Sequence, residues 1–173
     1  MRYVAIAALT LAVMVIGHDH IHRNVSDSLP VSWFWVWQDY TVARGDLVEF
    51  CPPMGFDSEA HTRGYVRNGP CPGGTIPFLK MVAAVGGDDV ELDAQGVHVN
   101  GRSLANSKAK RADRAGRSLA AQPFGMRKIP AGYVWLYGTN VWSADSRYYG
   151  PVPVNTIRYR ARPLIASALP DLR

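Results

Sequence analysis

The hydrophobic positions form one uninterrupted block at the N-terminus and a series of short runs after it. Residues 3–17, within MRYVAIAALTLAVMVIG, carry no charge and are mostly Ala, Val, Ile, Leu and Met. The block is shorter than the roughly 20 residues that a spanning helix prefers. It reads either as the apolar region of a cleaved signal peptide or as a short uncleaved anchor, accommodated by snorkelling flanks or local bilayer thinning. Only Gly17 in VIGHDH offers a small residue at a cleavage position, which favours an anchor over 1–22. Further on, DLVEF at 46–50 is a short strand stopped by Pro52-Pro53. FLKMVAAVGG at 78–87 is apolar at successive positions, as in a central strand buried on both sides, and halts at two glycines. In DVELDAQGVHVNG, Val90 and Leu92 alternate before a turn at Gly96, and Val97 and Val99 alternate after it, which predicts a hairpin. YVWLYG at 133–138 and TIRYRARPL at 156–164 are further strands, and no stretch after residue 25 repeats at helical spacing. The pattern predicts an all-β, or at least β-rich, domain of antiparallel sheets over 23–173, preceded by a short N-terminal membrane helix.

Residues 102–128, RSLANSKAKRADRAGRSLAAQPFGMRK, depart from this pattern: they are basic, Ala-rich and without apolar periodicity. They read as a solvated insertion, or alternatively as a basic arm for lipid head groups or an acidic partner. The whole chain has 173 residues and a formal net charge of +5. That length and an ordinary apolar content suit one globular domain and exclude wholesale disorder. The charge suits an anionic membrane surface or nucleic acid. No nucleic-acid motif is present and the N-terminus is apolar, so the membrane is the expected partner. Cys51 and Cys71 form an even pair, which in an exported domain suggests one disulfide, otherwise two partly buried thiols. The spacings of a zinc site are absent, and no cofactor or metal is expected. His18, His20 and His22 alternate beside the apolar block and read as interfacial polar residues rather than ligands; His61 and His98 read as surface positions. Trp33, Phe34, Trp35 and Trp37 suit either the lipid–water boundary or the lining of a core or groove.

Lys80 changes the picture. It is the only charge between Arg67 and Asp88, and in a strand it shares a face with Phe78 and Val82. On an edge strand it would snorkel to water. Buried, its pKa would fall and its neutral amine could act as a general base near neutral pH. Serine activated by lysine is a known variant of the Ser–His pair, and no histidine stands in a comparable setting. Two serines flank an aspartate in NVSDSLPVSWFW at 24–35, ahead of the aromatic run.

Four stretches together resemble the type I signal peptidase superfamily, most closely its TraF-type branch of conjugative-transfer pilin-processing peptidases. They are NVSDSLPVSWFW, ARGDLVEFCPP at 43–53, PFLKMVAAVGGDDVEL, and GTNVWSADSRYYGPVPVNTIRYRARPL, in the family's order behind an apolar segment. The resemblance implies a serine peptidase with Ser28 as nucleophile and Lys80 as general base. It implies that the Ser26 hydroxyl joins the Ser28 backbone N–H as an oxyanion donor, that Ser143 orients the lysine, and that Asp145 and Arg147 brace the last box. It further implies a propilin substrate, an acyl-enzyme resolved by water or by the substrate's own amino terminus, and a periplasmic domain held at the inner membrane by the N-terminal anchor, or soluble if the segment is removed. The chain departs from the family at Met81, where an arginine is usual, and at Ser32, where the TraF-type branch has glycine. Two other classes are a non-catalytic exported β-domain assisting pilus assembly and a LexA-like autopeptidase. The latter needs a DNA-reading helix-turn-helix where this chain has its apolar segment.

Overall fold

The computed structural model describes residues 19–39, 41–165 and 168–172. The apolar block, with His18, lies outside the described residues, so the anchor and signal readings both fall there. Among the described residues no helix is long and apolar enough to cross a membrane. The rest is strand-rich, as the alternation predicts. In chain order the elements are β1 (Ile21–Arg23), β2 (Trp33–Trp37), β3 (Leu47–Phe50), α1 (Phe56–Thr62), β4 (Phe78–Val85), β5 (Asp89–Leu92), β6 (Val97–Val99), β7 (Arg102–Ser103), β8 (Gly125–Lys128), β9 (Tyr133–Tyr137), α2 (Ser146–Tyr149), β10 (Val152–Pro153) and β11 (Ile157–Pro163). Every strand pairing is antiparallel. The larger sheet runs β1-β2-β11-β3-β4-β9-β10 and the smaller β7-β6-β5-β8.

β4 is an interior strand covered on both faces, which explains its unbroken apolar run. Leu79 and Met81 join Phe34, Val36 and Leu47 in one cluster, while Val82 packs with Val48, Phe50 and Leu136 in another. A bulge between Val82 and Ala84 re-aims the strand towards the smaller sheet. There Ala83 and Ala84 meet Val90, Leu92, Val97, Val99 and Trp135. The β5–β6 hairpin turns as read: Asp93 accepts the N–H groups of Gln95 and Gly96, and Gly96 sits at φ +147°.

Two findings differ from the sequence reading. α1 and α2 span seven and four residues, too short for an apolar repeat to show. Residues 102–128 are largely exposed but anchored at several points. Their ends supply β7 and β8, and their middle docks on the loop after α1. Tyr65 donates to Asp113 at 2.5 Å, Arg63 donates to Ser118 O at 2.7 Å, and Arg117 binds both Asp113 and Arg63 O.

Cys51 and Cys71 form a disulfide that closes a loop with sequence separation 20 around α1. Chain-entropy arithmetic for a loop of this length gives about 3 kcal/mol. The Cys51→Ala/Cys71→Ala double variant is therefore expected to unfold at lower denaturant concentration by that amount, and reductant should shift the wild type but leave the variant unmoved.

Candidate active site

Lys80 lies on the face of β4 that carries Phe78 and Val82, inside the sheet rather than on its edge. It is 1% exposed. Its ammonium donates to Leu79 O at 3.3 Å and stands 5.1 Å from the Phe78 ring centroid, a cation–π contact. Burial pushes its pKa from the ordinary 10.5 down to about 8; Asp145 pulls it upwards and Arg147 pushes it further down. At neutral pH a substantial minority of the amine is then unprotonated and able to accept a proton.

The depressed value also makes Lys80 a stability liability. The unfolded chain binds more protons than the folded one between pH about 8 and 10.5, so stability rises with pH across that window. Below pH 8 the cost is fully present, roughly 3 kcal/mol at 1.36 kcal/mol per pKa unit. Lys80→Met is accordingly expected to raise the unfolding free energy at pH 7 by up to about that amount and to flatten the stability increase between pH 8 and 10.5, as read by denaturation at several pH values.

The serines sit on the loop between β1 and β2. Ser28 is buried, whereas Ser26 is exposed. Asn24 organises this loop. Its Nδ2 donates to Val31 O at 2.9 Å and Leu29 O at 3.4 Å, and its Oδ1 accepts from both the N–H and the hydroxyl of Ser26, each at 3.0 Å. Ser28 O in turn accepts from Asn140 N at 3.2 Å.

Gly138, directly after β9, is where the pieces meet. A Cβ there would lie 2.1 Å from Ser143 Oγ and 2.9 Å from Ser28 O. The β4–β9 register pairs Met81 with Tyr137, and continuing it by one residue brings Lys80 opposite Gly138. The Ser143 side chain and the Ser28 carbonyl therefore meet at a position that tolerates no side chain, with the Lys80 backbone running opposite it. Ser143 Oγ is buried and without a hydrogen-bond partner. Among the described residues no hydrogen bond joins Lys80 to either serine.

Asp145 and Arg147 hold this corner. The Asp145 carboxylate accepts from Gly138 N at 3.0 Å and from Arg147 Nε at 2.7 Å and Nη2 at 2.8 Å. Both side chains are 1% exposed. The guanidinium also donates to the carbonyls of Asn106, Lys108, Asn140 and Ser143, tying the 102–128 segment to the box that carries Ser143. Burial lowers the Arg147 pKa, but the Asp145 charge and hydrogen bonds outweigh it and hold the guanidinium above its ordinary value.

Ser26, Ser28, Lys80 and Ser143 line one groove of about 1860 Å³, together with Leu79, Phe78, Asn140 and Tyr149. Chemically, a serine hydroxyl and a buried amine lining one groove are the groups that acyl transfer by a serine–lysine pair requires. The aromatic run divides by strand alternation: Phe34 is buried, Trp33 is 45% exposed, and Trp35 stacks on His20. Among the described residues no group of His, Cys, Asp and Glu could hold a metal ion. Asn24, Asn140 and Gly138 were not singled out by their chemistry; an Asn two residues before Ser26 is nonetheless a sequence signal for a side-chain-to-backbone turn.

The family model described as signal peptidase, peptidase S26, matches residues 1–165. Among curated proteins, the conjugal transfer protein TraF of Agrobacterium tumefaciens strain 15955 is 37% identical over 163 residues, covering 93% of this chain and 89% of that protein. A plasmid transfer protein TraF of Escherichia coli is 34% identical over 169 residues, covering 95% and 94%. Among solved structures, a signal peptidase I from Enterococcus faecalis V583 aligns with TM-score 0.40 at 20% identity, covering 69% of this chain and 96% of that one.

Proposed function

The chain belongs to the signal peptidase family, peptidase S26, and from that membership we propose that it is a membrane-anchored serine peptidase of conjugative transfer that cleaves a propilin. Ser28 Oγ attacks the scissile carbonyl while neutral Lys80 takes its proton, and the resulting ammonium delivers that proton to the leaving amine. The Ser28 N–H and the Ser26 hydroxyl, turned from Asn24, stabilise the oxyanion. Ser143 aims the Lys80 amine. Water, or the substrate's own amino terminus, then displaces Ser28 from the acyl carbon.

The observation that carries this reading is the state of Lys80: fully buried on an interior strand, with its pKa near 8, in the groove that also holds Ser28. The disulfide and the family fold fit an exported, periplasmic protein, and the apolar N-terminus supports attachment to the inner membrane.

The test is co-expression of the full chain with a pilin precursor, followed by intact-mass spectrometry. Wild type should release a processed pilin, and Ser28→Ala should leave the precursor whole. A product lighter than the linear one by one water identifies resolution by the amino terminus; the linear mass identifies hydrolysis. Pilus assembly that proceeds with an uncleaved pilin and is indifferent to Ser28→Ala would replace this reading with the non-catalytic one.

A further inference from the structure

Glu49 lies on β3 opposite Leu79, the residue before Lys80. Its side chain is 8% exposed, and the same face of the sheet carries Phe34, Leu47, Leu79 and Met81. A carboxylate in such a setting is costly unless a donor meets it. Among the described residues its one side-chain partner is His22 Nδ1 at 2.6 Å. The reach of that contact is unusual, because β1 and β3 are separated in the sheet by β2 and β11. The sheet therefore curls, and the pair closes across its concave floor. The His22 ring packs edge-on against Phe34 and Tyr159, with centroids at 5.9 and 5.6 Å. Apolar side chains would fill this floor more cheaply, so the polar pair calls for a purpose other than packing.

His22, Glu49, Phe34, Leu79 and Tyr159 all line the groove that holds Ser28 and Lys80. We propose that the His22–Glu49 pair is a specificity subsite of that groove, taking a cationic hydrogen-bond donor of the peptide substrate: a lysine or arginine side chain, or a free α-amino group. The inference rests on the peptidase reading for its substrate class. An ionised carboxylate only accepts hydrogen bonds, so the His22 nitrogen that meets Glu49 carries the proton. Among the described residues Glu49 Oε1 makes no hydrogen bond, which leaves an acceptor for an ammonium or guanidinium.

The test separates binding from cleavage. The probes are labelled peptides spanning a pilin cleavage region, each position carrying in turn Lys, norleucine or Glu, with free and acetylated amino termini. Binding is read by anisotropy on the full chain carrying Ser28→Ala, so it does not depend on turnover. At one position Lys should bind about tenfold or more tighter than norleucine, as a charge-assisted hydrogen bond requires. Glu49→Gln, an isosteric change, should erase that preference, and Glu49→Lys should shift it towards Glu. A preference confined to the free amino terminus identifies the α-amine as the ligand. Equal binding of Lys, norleucine and free or acetylated termini overturns the proposal. So does a uniform loss across all peptides in Glu49→Gln with an unchanged melting temperature. Cleavage by the chain with Ser28 intact is a separate arm: a Lys preference in binding without any cleavage would keep the subsite and reject the peptidase chemistry.

Discussion

Ser28→Ala and Lys80→Ala are each expected to lower processing of a pilin precursor by about 10⁴-fold or more, the loss typical when one member of a nucleophile–base unit is removed. The two losses should not add in the double variant, because the groups act on one proton. Wild-type rate should rise with pH, close to tenfold per unit well below pH 8, and level off above it, because only neutral Lys80 can accept the Ser28 proton and burial sets its pKa at about 8. Lys80→Arg should not rescue: a guanidinium stays protonated at every accessible pH. The decisive measurement is single-turnover cleavage of purified precursor between pH 6 and 10. A flat profile would remove Lys80 from the proton transfer even if Lys80→Ala were inactive. The opposite effects expected for Lys80→Met, more stable and inactive, would separate a site held against its own folding energetics from one that merely lost its structure.

Replacing Arg147 by Met is expected to destabilise the protein by about 3–5 kcal/mol, the usual cost of stripping one partner from a buried ion pair. Asp145 would stay buried but lose the guanidinium donors that offset its burial. The carbonyls of Asn106, Lys108, Asn140 and Ser143 would lose their donor at the same time. Arg147→Lys should recover little, since a single ammonium cannot span a fork that reaches both carboxylate oxygens. The double variant Asp145→Leu/Arg147→Met should be more stable than Arg147→Met alone, a non-additivity that equilibrium denaturation can read. Activity should fall with stability here, because Asp145 also accepts from Gly138 N, where the Ser143 side chain and the Ser28 carbonyl meet.

The strands were legible because their periods are set locally: alternation marks β5 and β6, and an unbroken apolar run marks β4. Lys80 was legible for the same reason, as a charge inside a run that buries both faces. Ser26 and Ser28 are equivalent to inspection of composition; only the resemblance distinguishes their roles, and the fold adds that one is buried and the other exposed. The helices were not legible because four or seven residues hold no repeat. The docking of Asp113 on Tyr65 joins residues 48 apart in sequence, and the meeting of His22 with Glu49 joins residues 27 apart. Such contacts depend on how the sheet curls, which no window of the sequence encodes. The basic composition of 102–128 is plain in the sequence, but the contacts by which Arg117 and Asp113 anchor the segment to the loop after α1 are not.

The sheet order has a consequence for the life of the chain before it is finished. The hairpin that bears Ser28 joins the half of the sheet that bears Lys80 through β11, which pairs with β2 on one side and β3 on the other. β11 spans Ile157–Pro163, far downstream of both Ser28 and Lys80 in the chain. A nascent chain emerging N-terminus first cannot join these two halves of the sheet until residues 157–163 have been made. The last strand is thus the clasp of the large sheet: until it pairs, the strands flanking Ser28 and the strand carrying Lys80 belong to two unjoined halves.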